Sequence, residues 1–301
     1  MSNVDSQDRV DLAYSVREGT GYPILFIHGF SHNRHVWDCI TAELNPGLRP
    51  YRIDLRGHGD SGWSAQGHYA PQDYARDLPR VVDELGLERL LLVGHSLGGL
   101  TAALFADRFP EAVEGLVLVD TGPDLSVPAM NRIAQDTENA IHDFDSTEAY
   151  EEWLSSVLPM ANKKALSDFA DRSLVQRLDG RFEVKLDPGT LAPDRTENAW
   201  AEFTAEIEMT FRRIQCPTLL VRGGRSALLS RSRAEHLAHE QLQRGRLITL
   251  ENAGHAVMLE DGPSLRGVIE SFASEVLGTP LHGETDRKKP VVAQETEKVS
   301  S

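Results

Sequence analysis

A chain of 301 residues, 40% of them hydrophobic, has material for one large or two modest cores and is not a disordered polymer. The formal net charge of −15, from 31 basic and 46 acidic residues, argues against nucleic acid and anionic lipid as partners. The two cysteines, Cys39 and Cys216, lie far apart without metal-ligand spacing, which excludes a disulfide framework and suits reduced, buried thiols of a cytoplasmic protein. The first nine residues are polar and lack the apolar stretch of a signal peptide, and no apolar run reaches the ~20 residues of a bilayer span. A small molecule is the expected partner, with no membrane; nothing sets the oligomeric state.

Residues 10–17 alternate, with Val10, Leu12, Tyr14 and Val16 on one face, which predicts a half-solvated edge strand. β-rich runs follow at 24–27, 51–55, 90–93, 116–119, 218–221 and 247–250. They alternate with helical patterns, predicting a mostly parallel, doubly wound α/β sheet. Near-continuous hydrophobicity, as at 90–93, is what a strand covered on both faces requires. Val36, Trp37, Ile40 and Leu44 recur at helical spacing. Pro71 is placed to open a helix bearing Tyr74, Leu78, Val82 and Leu85, with Pro79 expected to kink or split it. Residues 97–109 read as a helix stopped by Pro110.

From 127 to 213 only amphipathic helices are expected, with stripes at Trp153, Leu154, Val157 and Leu158 and at Trp200, Phe203, Ile207 and Phe211. Asp145 and Glu148 have the spacing of a capping box. This segment reads as a helical cap inserted at the sheet's carboxyl edge. Pro263 opens a last helix ending at Leu277, and the charged residues 279–301 read as a disordered tail. The organisation is a polar tail at 1–9, a core from 10–126 and 214–278, the cap, and the second tail.

Gly94-His95-Ser96-Leu97-Gly98 lies between a predicted strand and a predicted helix. A serine on such a turn is lifted out of the sheet, and the flanking glycines avoid clashes that larger residues would cause. After the strand at 24–27, His28-Gly29-Phe30 can aim the Phe30 N–H above Ser96. With the Leu97 N–H at the helix start it would form an oxyanion hole. Gly254-His255 follows the strand at 247–250, so its loop opens at the same edge, and His255 can take the serine's proton.

Taken together, His28-Gly29, Asp54-Leu55-Arg56-Gly57-His58-Gly59-Asp60-Ser61, Gly94-His95-Ser96-Leu97-Gly98, Cys216-Pro217-Thr218 and Asn252-Ala253-Gly254-His255 resemble the α/β-hydrolase family from residue 10 to 277. The resemblance implies a Ser-His-acid hydrolase acting by acyl transfer without a cofactor, and a structural role for residues 54–61. Position 96 is serine, which sets the chain apart from the carboxylate-nucleophile haloalkane dehalogenases and epoxide hydrolases.

The acid departs from the family pattern. The stretch after the penultimate strand reads Arg222-Gly223-Gly224-Arg225-Ser226-Ala227, with Ala227 in the acid's usual place. Either the acid has been lost or it comes from elsewhere. Asp120, at the end of the strand 116–119, is close enough to serve. Branches resembling acetamidomethylene-succinate hydrolases and cofactor-free ring-cleaving dioxygenases place their acid there. Asp120 is therefore assigned to orient His255, against a plainer role in the turn Thr121-Gly122-Pro123, with Asp124 a distant third. C–C bond hydrolysis and cofactor-free oxygen chemistry use the same residues and stay open, as does a non-catalytic ligand-binding protein, which Ala227 motivates. In the cap, Arg132, Arg172 or Arg177 could bind a substrate carboxylate, though solvated surface charge is the default. The cap aromatics read as cap core rather than a specificity pocket.

Overall fold

The computed structural model describes residues 8–123, 125–140, 144–191, 197–278 and 295–299. The strands β1 (Ala13–Arg17) and β2 (Tyr22–Ile27) are followed by a 3-10 turn, Arg34–Trp37, leading into the short α1 (Asp38–Thr41). Next come β3 (Leu48–Ile53), α2 (Pro71–Glu84), β4 (Leu90–His95), α3 (Leu97–Arg108) and β5 (Val113–Val119). The insertion holds α4 (Val127–Ala140), α5 (Thr147–Val157), α6 (Lys163–Ser173), β6 (Leu174–Gln176), β7 (Phe182–Val184) and α7 (Glu197–Arg213). The chain then returns as β8 (Thr218–Gly223), α8 (Arg231–His236), β9 (Gly245–Leu250), α9 (Val257–Glu260), α10 (Gly262–Leu277) and β10 (Glu295–Val299).

Eight strands form one sheet in the order β10-β1-β3-β2-β4-β5-β8-β9, parallel from β3 to β9 and antiparallel where β1 meets β3 and β10. Successive side chains of a strand point to opposite faces. Leu25, Ile27, Leu92, Leu118 and Leu220 therefore pack on one side with Tyr74 and Leu78 of α2 and Phe105 of α3. Phe26, Leu91, Val93, Val117 and Val221 pack on the other with Trp37, Ile40, Ile269 and Phe272. Burial on both faces is why these runs are continuously apolar. The chain leaves β2 for β3 on one side and returns to β4 on the other, so the loops after β2 and β4 diverge. Ligands bind at such a switch point in open α/β sheets.

The insertion touches the core through loops at the carboxyl edge. Asn33 Nδ2 donates to Ser173 Oγ at 3.0 Å, the Asn162 N–H to Leu259 O at 2.7 Å, and the Gly59 N–H to Lys185 O at 2.8 Å. Within it Phe144, Tyr150 and Trp153 cluster, while the buried Phe169 and Phe211 join the two apolar clusters that cover the sheet. The side chain of Trp200 lies outside the described part.

Several local expectations need correction. The ribbon at 10–17 is not an edge: β1 is flanked by β3 and by β10, whose backbone pairs Val299 with Ala13 and Glu295 with Arg17. The tail thus contributes a strand at 295–299, while 1–7, 279–294 and 300–301 lie outside the described residues. Asp8, assigned to the polar N-terminal tail, is tied to the core by Arg56 Nη1 at 2.9 Å. Helix α2 runs unbroken through Pro79, because Tyr74, Leu78, Val81 and Val82 are pinned in the core on both sides of it. The N-cap of α5 is Ser146, whose hydroxyl accepts the Ala149 N–H at 3.2 Å, and Asp145 is exposed. The insertion is not purely helical, since β6 and β7 form a hairpin. Both thiols are partly rather than fully buried.

Candidate active site

Ser96 stands between β4 and α3 at φ 50° and ψ −117°, a backbone conformation that non-glycine residues rarely hold and that surrounding structure must enforce. Its N–H donates to Val119 O at 3.0 Å, and its carbonyl accepts the Gly99 N–H and the Thr121 hydroxyl. The flanking glycines are required by contact. A Cβ on Gly94 would sit 2.3 Å from Gly98 O, and one on Gly98 would sit 2.3 Å from His28 O.

The loop after β2 presses against this turn. A Cβ on Gly29 would lie 2.5 Å from His95 Nδ1 and 3.2 Å from the Ser96 Cβ. Phe30 follows directly, and among the described residues neither its N–H nor that of Leu97 donates a hydrogen bond. Two free donors beside a serine at a helix start suit a developing oxyanion. His28 fixes the loop from below: its Nδ1–H donates to Gly29 O at 2.7 Å while Nε2 accepts the Leu55 N–H at 3.0 Å.

His255 is partly exposed, and its Nδ1 lies 2.8 Å from Asp120 Oδ2. Asp120 is fully buried and takes φ +45°, which aspartate tolerates better than most residues. Its N–H donates to Val221 O at 2.7 Å, and its Oδ1 accepts the Gly223 N–H at 3.0 Å. His95 Nε2–H donates to His255 O at 2.9 Å, and the two rings lie 4.5 Å apart. The elbow and the histidine loop are thereby joined. Such an array can generate a serine alkoxide equivalent: a carboxylate fixes the imidazole tautomer, leaving Nε2 to accept a proton.

Ser96, Phe30, Leu97, His255 and Asp120 converge on one edge of the sheet. Asp124 lies outside the described residues, and Ala227 is exposed. Arg132 pairs with Asp136 at 2.9 Å and Arg177 with Asp179 at 3.0 Å, while Arg172 is exposed, as solvated charges are. Residues not anticipated from the sequence are Ser226, which donates to Asp120 Oδ2, His95, and Glu260, which accepts the Gly254 N–H. Burial pushes the Glu260 carboxyl above its usual range, against the pull of that N–H and of His255.

Residues 54–61 act beneath the site. The fully buried Asp54 binds the Arg34 guanidinium and accepts the Asp60 N–H at 2.9 Å. Removing one member of a buried pair strands the other. Asp54→Ala is expected to lower unfolding free energy by about 3 kcal/mol, since Asp60 remains beside Arg34 as a partial partner. Urea denaturation measures it, and a loss below ~1 kcal/mol, the scale of surface pairs, would show that Asp60 suffices.

Residues 22–262 match the family described as α/β hydrolase fold. An esterase of Mycobacterium tuberculosis is 28% identical over 266 residues, 84% of each chain. The 2-(acetamidomethylene)succinate hydrolase of Mesorhizobium japonicum is 28% identical over 226 residues, covering 74% of this chain and 79% of that one. The crystal structure of a novel esterase from Mycobacterium tuberculosis superposes with a TM-score of 0.72 at 28% identity, over 86% of this chain and 87% of the other. The chain belongs to the α/β-hydrolase fold family and is a hydrolase. Among the described residues no helix is long and apolar enough to cross a membrane.

Proposed function

We propose that the protein is a serine hydrolase cleaving an ester, amide or related acyl bond of a small molecule through an acyl-enzyme. Ser96 attacks the carbonyl carbon while His255 Nε2 takes its proton, and the N–H groups of Phe30 and Leu97 bind the resulting oxyanion. His255 then gives the proton to the leaving group. Water, deprotonated by the same nitrogen, releases the acid and restores Ser96. Asp120 holds the Nδ1–H tautomer and stabilises the imidazolium. The observation that carries this reading is the 2.8 Å link from His255 to a buried carboxylate at the sheet edge that bears Ser96. Relatives named for ester hydrolysis and for hydrolysis of an acetamido compound support the substrate classes. We also place the protein in a reducing compartment, a reading supported by two unpaired thiols.

A fluorophosphonate probe followed by intact mass tests the nucleophile. One adduct on the wild-type chain and none on Ser96→Ala is expected. An adduct that persists in Ser96→Ala would place the reactive group elsewhere.

A further inference from the structure

We propose that the loop after β8, vacant at the usual acid position, has become the clamp of the acid at β5, with Ser226 as a positioning residue for Asp120. The inference rests on the Ser96-His255-Asp120 reading above.

Three donors converge on the Asp120 carboxylate: the Gly223 N–H on Oδ1, and His255 Nδ1–H and the Ser226 hydroxyl on Oδ2. Two of the three come from the loop that begins at the end of β8. The direction of the Ser226 proton is set by its neighbours. Its Oγ accepts the Leu228 N–H at 3.2 Å and the Leu229 N–H at 3.4 Å, which occupy its lone pairs. A hydroxyl has one donor and two acceptor sites, so its hydrogen is left for Asp120.

The loop itself is held from several sides. The Ser226 N–H closes a turn on Gly223 O at 3.0 Å, the Gly224 N–H donates to Leu250 O at 2.8 Å, and the Arg225 N–H to Ala253 O at 2.8 Å. Arg222 Nε donates to Leu229 O at 2.7 Å. Gly223 permits the closest approach, since a Cβ there would lie 1.8 Å from Gly254 O, next to His255. The clamp is thus registered against the loop that carries the base. A carboxylate with both oxygens engaged by donors has one orientation.

The experiment is the second-order rate of fluorophosphonate labelling of Ser96 across pH, for wild type, Ser226→Ala, Ser226→Thr and Asp120→Asn, with melting temperatures beside each. Ser226→Ala is expected to slow labelling by ~10- to 100-fold, by analogy with the loss of a partner that orients a metal-ligating side chain. Its acid limb is expected to move to higher pH. Without the hydroxyl dipole the carboxylate presents more negative charge to His255 and strengthens its hold on the proton. Ser226→Thr keeps the hydroxyl and should recover most of the rate with the wild-type limb. The proposal fails if Ser226→Ala labels like wild type, or slows with an unmoved limb and a lowered melting temperature. If wild type is not labelled, or Asp120→Asn labels at its rate, the triad reading fails instead.

Discussion

Asp120→Asn is expected to lower the rate of acyl transfer on the order of 10³- to 10⁴-fold, as loss of the acid does in other triads. The size follows from the donors that meet at this side chain. Gly223 N–H reaches Oδ1, and His255 Nδ1–H and Ser226 Oγ–H reach Oδ2. An asparagine has one oxygen to offer and an amino group that can only donate. With its oxygen toward Gly223, the amino group faces His255 and selects the tautomer whose Nε2 carries hydrogen and cannot take the serine proton. With its oxygen toward His255, the amino group confronts the Gly223 N–H in a buried site. Either choice damages the base or the fold around it. A second substitution distinguishes relocation of the acid from its loss. Ala227 follows Ser226, whose hydroxyl already reaches the carboxylate, so Asp120→Asn with Ala227→Asp should regain at least ~10-fold of what the single variant loses, a small part of a triad's contribution. Initial rates on a p-nitrophenyl ester and fluorophosphonate labelling both report it. Wild-type turnover by Asp120→Asn would end the assignment of this residue.

The elements that set the site were legible because their constraints are local. Gly94 and Gly98 leave room for neighbouring backbone carbonyls, and that need is written as a five-residue pattern. His255 was recoverable from its place after a strand. Asp120 required a subtraction, since the vacancy at Ala227 pointed to it only once the family pattern was in view. Ser226 could not be read at all, because its partner lies 106 residues away and nothing in the intervening sequence encodes the contact. The misread edge strand has a similar cause. The residues of β10, Glu-Thr-Glu-Lys-Val, join the sheet by pairing their main chain with β1, and main-chain pairing leaves no apolar period to detect. Pro79 misled in the opposite direction. It removes one hydrogen-bond donor, but the apolar stripe of α2 is buried on either side of it, and packing outweighs that local loss. Ser146 lay one residue from the expected cap, within the usual uncertainty of helix ends.

Stability is expected to fall steeply as pH drops below about 6.5, the ordinary value of histidine. His28, His58 and His95 are buried, and burial is what holds each ring neutral, against the pull of the carbonyl that each donates to. The His28 ring spends one nitrogen as donor to Gly29 O and the other as acceptor from the Leu55 N–H, leaving no place for a second proton. His58 donates from Nδ1 to Arg56 O at 2.8 Å, and His95 from Nε2 to His255 O at 2.9 Å. Among the described residues the remaining nitrogen of each is buried without a partner. Burial lowers His28 and His95 well below the usual range, aided by neighbouring histidines, and lowers His58 to about 4. The sign follows from where the proton binds. Above about 6.5 both folded and unfolded chains hold these rings neutral, and the contribution to stability is complete. As pH falls through that value the unfolded rings take up protons that the folded rings refuse, so stability is lost, for His58 until about pH 4. A ring that refuses its proton in the folded state costs at most about 1.4 kcal/mol per pH unit once the unfolded ring is protonated, and His28, His58 and His95 all act in the same direction. The carboxyls of Asp54, Asp77 and Glu260, raised by burial, oppose this loss. The slope is therefore tested by difference: His58→Asn, compared with wild type by urea unfolding at pH 7, 6 and 5, should flatten the dependence by about 1 kcal/mol per unit on average, most of it between pH 6 and 5. Equal slopes would mean that the folded protein admits a proton at His58, and that the unpartnered Nε2 is reached by solvent.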